Sequence, residues 1–437
     1  MSHSARQLRL NAVIFGLGNH EAAWRMPESS EGASTDIDHW INLAKTAEAA
    51  GFDSLFLGDV LALLLGANKH LSDTMDPLVI LSAIAAVTSK IGLIGTASTT
   101  FDAPFHLARR FASLDHITKG RAGWNIVTSS NILEARNFGL GDIPSHRERY
   151  ERAEDVVQAV TRLWDSWSDD ARIHNKHSGI YFDQDRVRAI EYIGSHVKTA
   201  GPLNTPRPPQ GRPILVQAGS SEDGRKLAAR YADVVFTAQT SLDDAVEFYN
   251  DIKSRVAREG RNPDHVLVMP GIMPVVAETR QQAEERLALI DSFIMRDHAL
   301  AQLSEYLRVD VASLDLEQPL PDFLDTETRT ETNKSRYALI IKLARREKLT
   351  VRQLLTRIGG GRGHFLQAGT ANDIADTMQH WFEAGAADGF NVMCPVLPAD
   401  LSSFSDLVMP ELRRRGLTGN GSDTPQTLRE RLGLPRL

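Results

Sequence analysis

The run with most chemical content is Gln217-Ala218-Gly219-Ser220-Ser221, where an apolar strand, Ile214 to Ala218, runs straight into a Gly-Ser-Ser turn and then a helix. Backbone N–H groups and two hydroxyls at a helix N-terminus make a cradle for a phosphate. The same spacing makes an ordinary serine cap, and Glu222 and Asp223 behind it would oppose an anion if they pointed at it. His146 and Tyr150 stand four residues apart at the start of another predicted helix and so share a face. Two donors there suit a phosphate. The alternative is a solvated face, because Arg147, Glu148, Arg149, Glu151 and Arg152 surround them.

A second group follows the early strands. Asp59 ends the strand Phe56-Leu57-Gly58-Asp59, where a carboxylate either accepts from a ring edge or caps a turn. Thr96, Ser98, Thr99 and Thr100 crowd the end of the third strand, as binders of a polar ring or as a Ser/Thr turn. Asn125 lies within strand four, and an inward amide in a barrel needs a partner, either a ligand or a core network. Gly16-Leu17-Gly18-Asn19-His20-Glu21 begins like a dinucleotide fingerprint, but Glu21 takes the place of the third glycine and no immediate long helix follows. A nicotinamide site is therefore rejected there, although His20, Trp24 and Arg25 would project over a barrel mouth. Gly359-Gly360-Gly361-Arg362-Gly363 reads as a mobile hinge or turn. Patterns for HExxH, CxxC, EF-hand, Walker A and Gly-x-Ser-x-Gly are missing, so spacing offers no metal site, P-loop or nucleophile elbow.

The elements that must position these residues alternate between apolar runs and amphipathic stretches, the signature of βα units around a parallel sheet. Predicted strands are Leu8 to Phe15, Ser54 to Leu57, Ile91 to Gly95, Arg121 to Val127, Ile214 to Ala218, Val234 to Thr237, Val266 to Pro270 and Phe390 to Met393. Predicted helices include Asp36 to Ala50, Asp76-Pro77 to about Ser89, Pro104 to before Gly120, His146 to Trp167, Leu242 to Arg258, Gln281 to Leu307, Lys334 to Ile358 and Ala371 to Ala384. The count favours one (β/α)8 barrel over residues 1–437, with insertions at about 168–212 and 278–363. In such barrels, chemistry sits where strands end and βα loops begin. Leu61 to Leu65 after Asp59 reads as an apolar pocket wall or a buried helix turn.

Bulk properties fit. The 437 residues are 42% hydrophobic and 24% charged with a net charge of −7, which supports a globular core and argues against a nucleic-acid or anionic-membrane surface. The lone Cys394 excludes an internal disulfide framework, and no apolar run approaches the roughly 20 residues of a membrane span. The start, Met1 to Leu10, has no apolar signal-peptide region. The expectation is a soluble, cytoplasmic protein.

Several runs together carry a resemblance: Ala97-Ser98-Thr99-Thr100 to Pro104, His106-Leu107-Ala108-Arg109-Arg110, Gly120 through Ser129, His146-x-x-Arg149-Tyr150, Leu163 to Trp167, Pro208 to Pro213, Gln217 to Ser221, Gly385 to Asn391 and Pro410-Glu411-Leu412. The chain resembles, over nearly its whole length, the nitrilotriacetate monooxygenase group of the bacterial-luciferase-like flavin monooxygenases. That group also holds EDTA, dibenzothiophene-sulfone and long-chain-alkane monooxygenases. The resemblance implies a TIM barrel with helical insertions, a homo-oligomer (dimer or tetramer), and reduced FMN (FMNH2) at the C-terminal mouth. There it would meet O2, form a flavin (hydro)peroxide and oxygenate a small organic substrate. By motif, Asp59, Thr96 or Ser98, and Asn125 would line the isoalloxazine, while His146, Tyr150, Ser220 and Ser221 would hold the phosphate. His20 and His364 are the candidates for lining the active site, and no acid or base is assigned. An NAD(P)H:flavin reductase would supply the FMNH2 as a transient partner. The sequence departs from the group at Gly58 and in the segment Asp185 to Gly201, where Arg188, Tyr192, His196 and Val197 replace its usual residues, so substrate identity is not carried over. The rival readings are a deazaflavin-dependent dehydrogenase on the same barrel and a non-catalytic flavin-binding protein.

Overall fold

The computed structural model describes residues 6–63, 73–325, 334–361, 363–419 and 426–437. Leu64 and Leu65 of the apolar run after Asp59, and Arg362 of the glycine run, lie outside the described residues.

Seven parallel strands follow one another: β1 (Arg9–Ile14), β2 (Ser54–Leu57), β3 (Gly92–Ser98), β4 (Ala122–Val127), β5 (Ile214–Gln217), β6 (Val234–Thr237) and β7 (Leu267–Val276). Two more, β8 (Phe365–Gly369) and β9 (Gly389–Val392), come late in the chain. Strands β1 to β7 pair in order, β9 bridges β7 back to β1, and the eight close into a parallel barrel. The ninth strand, β8, lies outside the ring on the C-terminal extension of β7, with Ile272 opposite Phe365 and Val276 opposite Gly369.

Period-two alternation explains the barrel. Asn11, Val13, Phe56, Ile94, Thr96, Asn125, Val216, Phe236, Met269, Met273 and Met393 come from the inward-facing series. Their neighbours Trp124, Leu215, Phe390 and Val392 pack against the helices outside. Trp124 shows the outer layer: its indole donates to Ala97 O at 3.1 Å, with Phe111 5.7 Å away and Trp164 edge-on at 6.5 Å. Truncating such a buried aromatic to alanine costs about 3–5 kcal/mol. The N-terminal end of the barrel is plugged by the tail of the chain. Leu428, Leu432 and Leu434 join the inner cluster, and buried Arg429 pairs with Asp233 at 2.8 Å.

Capping chemistry sets the helices. Asp36 caps α1 (Ile37–Ala50), which stops at Gly51 in the left-handed conformation, and Asp76 caps α2 (Pro77–Ala85). Helix α2 ends four residues before the expected Ser89, because Glu48 accepts the N–H groups of Ser89, Lys90 and Ile91 and turns the chain into β3. After α3 (Pro104–Thr118) and a short α4 (Ile132–Asn137), α5 (His146–Trp164) begins with a Ser145–Glu148 capping box. Two small hairpins, Arg172–Asn175 with Ile180–Phe182 and Tyr192–Ile193 with Lys198–Thr199, separate α5 from β5. Then α6 (Glu222–Tyr231) and α7 (Leu242–Arg258) alternate with β6 and β7.

Between β7 and β9 the structure differs from the sequence expectation in four places. The predicted helix from Gln281 to Leu307 is two, α8 (Arg280–Ser292) and α9 (Arg296–Leu307). The stretch after residue 333 is likewise α10 (Lys334–Glu347) and α11 (Val351–Gly361), and β8 follows it unforeseen, before α12 (Ala371–Glu383). Gly359 to Gly361, read as part of a mobile hinge or turn, form the buried last turn of α11 instead, and the reason is close packing. A Cβ on Gly359 would stand 2.9 Å from Glu21 Oε1, and one on Gly360 would stand 3.1 Å from Asp291 Oδ1. Helices α9 to α11 carry their own apolar cluster, including Leu303, Leu307, Tyr337, Ile340, Leu354 and Ile358. Among the described residues no helix is long and apolar enough to cross a membrane.

Candidate active site at the barrel mouth

The mouth lies at the C-terminal ends of the strands, and its floor is aromatic and thioether. Phe56 and Phe236, from opposite walls, meet edge to face with ring centroids 5.4 Å apart, beside Met269, Met273 and Met393 of the same inner cluster. Such a floor takes a flat, polarizable ring.

One wall is polar. Thr96 Oγ1 donates to Leu57 O at 2.8 Å, so toward Asn125 it must accept, and Asn125 Nδ2 donates to it at 2.8 Å. That fixes the amide: Asn125 Oδ1 is left as a buried acceptor without a hydrogen-bond partner. Thr96 and Asn125, named separately from the sequence, are thus joined by a hydrogen bond, with an acceptor to spare. Ser98 is committed more locally. It shares a hydrogen bond with Ser129 Oγ at 3.0 Å and accepts the Thr100 N–H, while Thr99 and Thr100 donate to the Val127 and Thr128 carbonyls. Asp59 sits half-buried beyond β2. Burial, reinforced by the acids Asp76, Glu134 and Asp102, raises its carboxyl to about 6, despite a bond from the Val60 N–H.

On the neighbouring wall, β5 delivers the Gly-Ser-Ser turn as predicted. Gly219 is compressed: a Cβ there would lie 2.6 Å from Tyr150 Oη and 2.6 Å from Gln217 Nε2. Its N–H donates to Gln217 Oε1 at 2.9 Å. Ser220 Oγ lies 3.3 Å from Thr237 Oγ1, whereas Ser221 Oγ is the cap of α6 and accepts the Gly224 N–H at 3.2 Å. His146 and Tyr150 stack with centroids 4.7 Å apart, and His146 Nδ1 is 3.1 Å from Asp223 Oδ2. The structure therefore joins Tyr150, Gly219 and Ser220 in one corner. Ser221 serves the helix, and His146 faces an acid of its first turn.

Several residues here escaped the sequence reading. Arg149, taken as part of a solvated face, is buried; it donates to the Ser129 carbonyl, and burial holds its guanidinium below the ordinary value. The signal was present, because Arg149, Ala153, Val156 and Val160 share the buried stripe of α5. Arg152 donates to the Thr99 and Thr100 carbonyls at 2.9 and 3.1 Å and ties α5 to the turn after β3. Gln217, Thr237 and Gln239 complete the corner around Ser220, through a bond from Gln239 Nε2 to Thr237 Oγ1 at 2.9 Å. Phe56 and Phe236 have no local signal, since only barrel closure brings them together. The half-buried His364 enters from the start of β8 and stacks on Phe236 at 5.5 Å, and fully buried His20 bonds Asp291 outside the strand ring. Among the described residues no cluster could hold a metal ion. In the departing segment, Tyr192 donates to Asp155 Oδ1 at 3.1 Å and His196 pairs with Glu151, so these residues fasten the second hairpin to α5.

A closed parallel barrel whose aromatic floor, buried Asn125 acceptor and hydroxyl-lined corner converge at the C-terminal ends of the strands defines a (β/α)8 protein with a candidate ligand site at that mouth. The chain belongs to the luciferase-like monooxygenase family, whose model matches residues 18–388. It is 43% identical to N-acetyl-S-(2-succino)cysteine monooxygenase of Bacillus subtilis, over 100% of this chain and 98% of the relative. It is 42% identical to nitrilotriacetate monooxygenase component A of Aminobacter aminovorans, over 99% of this chain and 97% of the relative. Among solved structures, riboflavin lyase with modified FMN and riboflavin superposes with a TM-score of 0.87 at 30% identity, covering 98% of this chain and 96% of that one.

Proposed function

We propose that this chain is the oxygenating component of a two-component monooxygenase, which takes reduced FMN from a separate reductase and uses O2 to oxygenate a small organic substrate. The observation that carries the reading is Asn125 Oδ1: a buried acceptor, its amide orientation fixed by Thr96, above an aromatic floor. An isoalloxazine offers the matching features, a flat apolar body with an N–H on its polar edge. The corner of Tyr150, Gly219 and Ser220, at the end of the next strand, suits a phosphate on a short polar tail. When bound, the flavin supplies the oxygen chemistry. The chain's own residues orient it: Asn125 accepts from the ring, Phe56 and Phe236 support it, and the Tyr150 and Ser220 hydroxyls donate to the phosphate. His146 would add a donor to that corner only by sharing it with Asp223. The full-length likeness to monooxygenases supports this choice over a deazaflavin dehydrogenase. The name of the Aminobacter relative, component A, supports a partner protein.

The decisive experiment compares FMN with riboflavin by fluorescence titration in the wild type and in a Ser220→Ala, Tyr150→Phe double variant. Two hydrogen bonds to a charged group lost together weaken FMN by at least about tenfold. Riboflavin, without the phosphate, should change less than about twofold. Equal losses for both ligands would remove the phosphate from this corner, and a wild type that binds neither would overturn the flavin reading.

A further inference from the structure

His20 and His364 stand at two ends of one chain of close contacts. His20 is fully buried and uses both ring nitrogens. Nδ1 accepts the Ala22 N–H at 3.1 Å, so Nε2 carries the proton and donates to Asp291 Oδ1 at 3.0 Å. The ring therefore pins α8 to the loop after β1. The last turn of α11 lands on the same spot, because a Cβ on Gly360 would stand 3.3 Å from His20 Nε2 and 3.1 Å from Asp291 Oδ1. Beyond that turn Gly363 adopts φ 78°, the His364 N–H donates to Gly361 O at 2.8 Å, and the imidazole drops into the mouth. It lies over Gly271, an inward position of β7 between Met269 and Met273, where any Cβ would collide with His364 Nδ1. Its other neighbour is Phe236, which rests on Phe56, so His364 is the top of the aromatic column that fills the barrel.

We propose that His364 contacts the flavin ring in the mouth, across from Asn125, and that His20 is its positioning residue, acting through Gly360 and the end of α11. The inference rests on the FMN reading above. The ring's place over Gly271 and against Phe236, at the top of the aromatic column, is where a flat ligand entering the mouth would rest. His20 meets no ligand: its nitrogens are spent on Ala22 and Asp291, and its work is to hold the helix end so close that even a Cβ at Gly360 would be tight.

Diethylpyrocarbonate footprinting tests both halves, with modification of each histidine followed by peptide mass spectrometry with and without saturating FMN. FMN is expected to slow modification of His364 by about fivefold or more. His174 and His177, exposed on the first hairpin, should react at unchanged rates. In Gly360→Val the branched side chain must push α11 away from His20 and Asp291, so FMN should protect His364 less than twofold while the far-ultraviolet spectrum stays that of the wild type. His20→Gln, which leaves the glycine turn intact, should reduce the protection in the same direction and serves if Gly360→Val does not fold. Equal reaction of His364 with and without bound FMN would overturn the contact. Full protection in a folded Gly360→Val or His20→Gln protein would overturn the positioning role. A wild type that binds no FMN overturns the flavin reading itself, a result that the titration registers separately.

Discussion

Thr96 decides what Asn125 can do. Its hydroxyl proton goes to the Leu57 carbonyl, so the Asn125 amide must give Thr96 its N–H and turn its oxygen elsewhere. Removing that oxygen should cost the flavin one hydrogen bond, about 1 kcal/mol, or roughly fivefold in affinity. Asn125→Ala should therefore weaken FMN by about that factor, with a melting temperature within a few degrees of wild type. Intact FMN affinity combined with a large melting loss would return Asn125 to the core. Asp59 offers a different handle, since burial and neighbouring acids raise its carboxyl to about 6, against about 4 in an unfolded chain. The folded protein thus holds the proton more tightly, and stability falls as pH rises from about 4 through 6. Asp59→Asn removes the charge and its penalty. The variant should melt above the wild type at pH 8, and the two curves should converge near pH 4. A gap that is constant across that range would mean that Asp59 is not the titrating group.

At the level of elements, what the sequence disclosed follows the range of the signal. All eight barrel strands were legible because apolar runs, caps and Gly stops are local: Asp36 and Gly51 bound α1 as read, and Leu242 and Arg258 bound α7. The strand β8 and the extension of β7 to Val276 were not, because Phe365 to Gly369 becomes a strand only by pairing with residues 272–276. The triple glycine misled for a related reason. Glycine runs ordinarily mark turns, yet here the missing side chains admit Glu21, His20 and Asp291 from far along the chain. Site residues divide the same way. The Gly219–Ser220 turn and the His146–Tyr150 face showed in spacing, but the Ser221 hydroxyl goes to Gly224 and His146 to Asp223, preferences set by which groups the turn brings within reach. Buried Arg149 was hidden by its charged flanks, and Gly271 becomes informative only once His364 lies on it.

Across the whole molecule, the barrel is filled from below by Leu428, Leu432 and Leu434 and through its middle by Phe56 and Phe236, so the flavin proposed above would come and go by the mouth. The only candidate dinucleotide loop is put to another use. A Cβ on Gly18 would collide with the Pro395 carbonyl, and the chain continues into the short 3-10 turn Ala23–Arg25 rather than the helix a pyrophosphate requires. The glycine serves contact between the loops after β1 and β9, and Asn19 reinforces it by donating to the Val13 and Cys394 carbonyls. On the reading proposed above, in which the mouth holds the flavin, the chain should depend on another protein for electrons. The measurement is nicotinamide absorbance after mixing the purified protein with FMN and NADH or NADPH in air. The expected result is a rate no faster than free FMN gives alone, rising to oxygen-consuming turnover when any FMN reductase is added. Rapid oxidation by the chain without a reductase would refute the two-component reading and require that a nicotinamide reach the flavin through the same mouth.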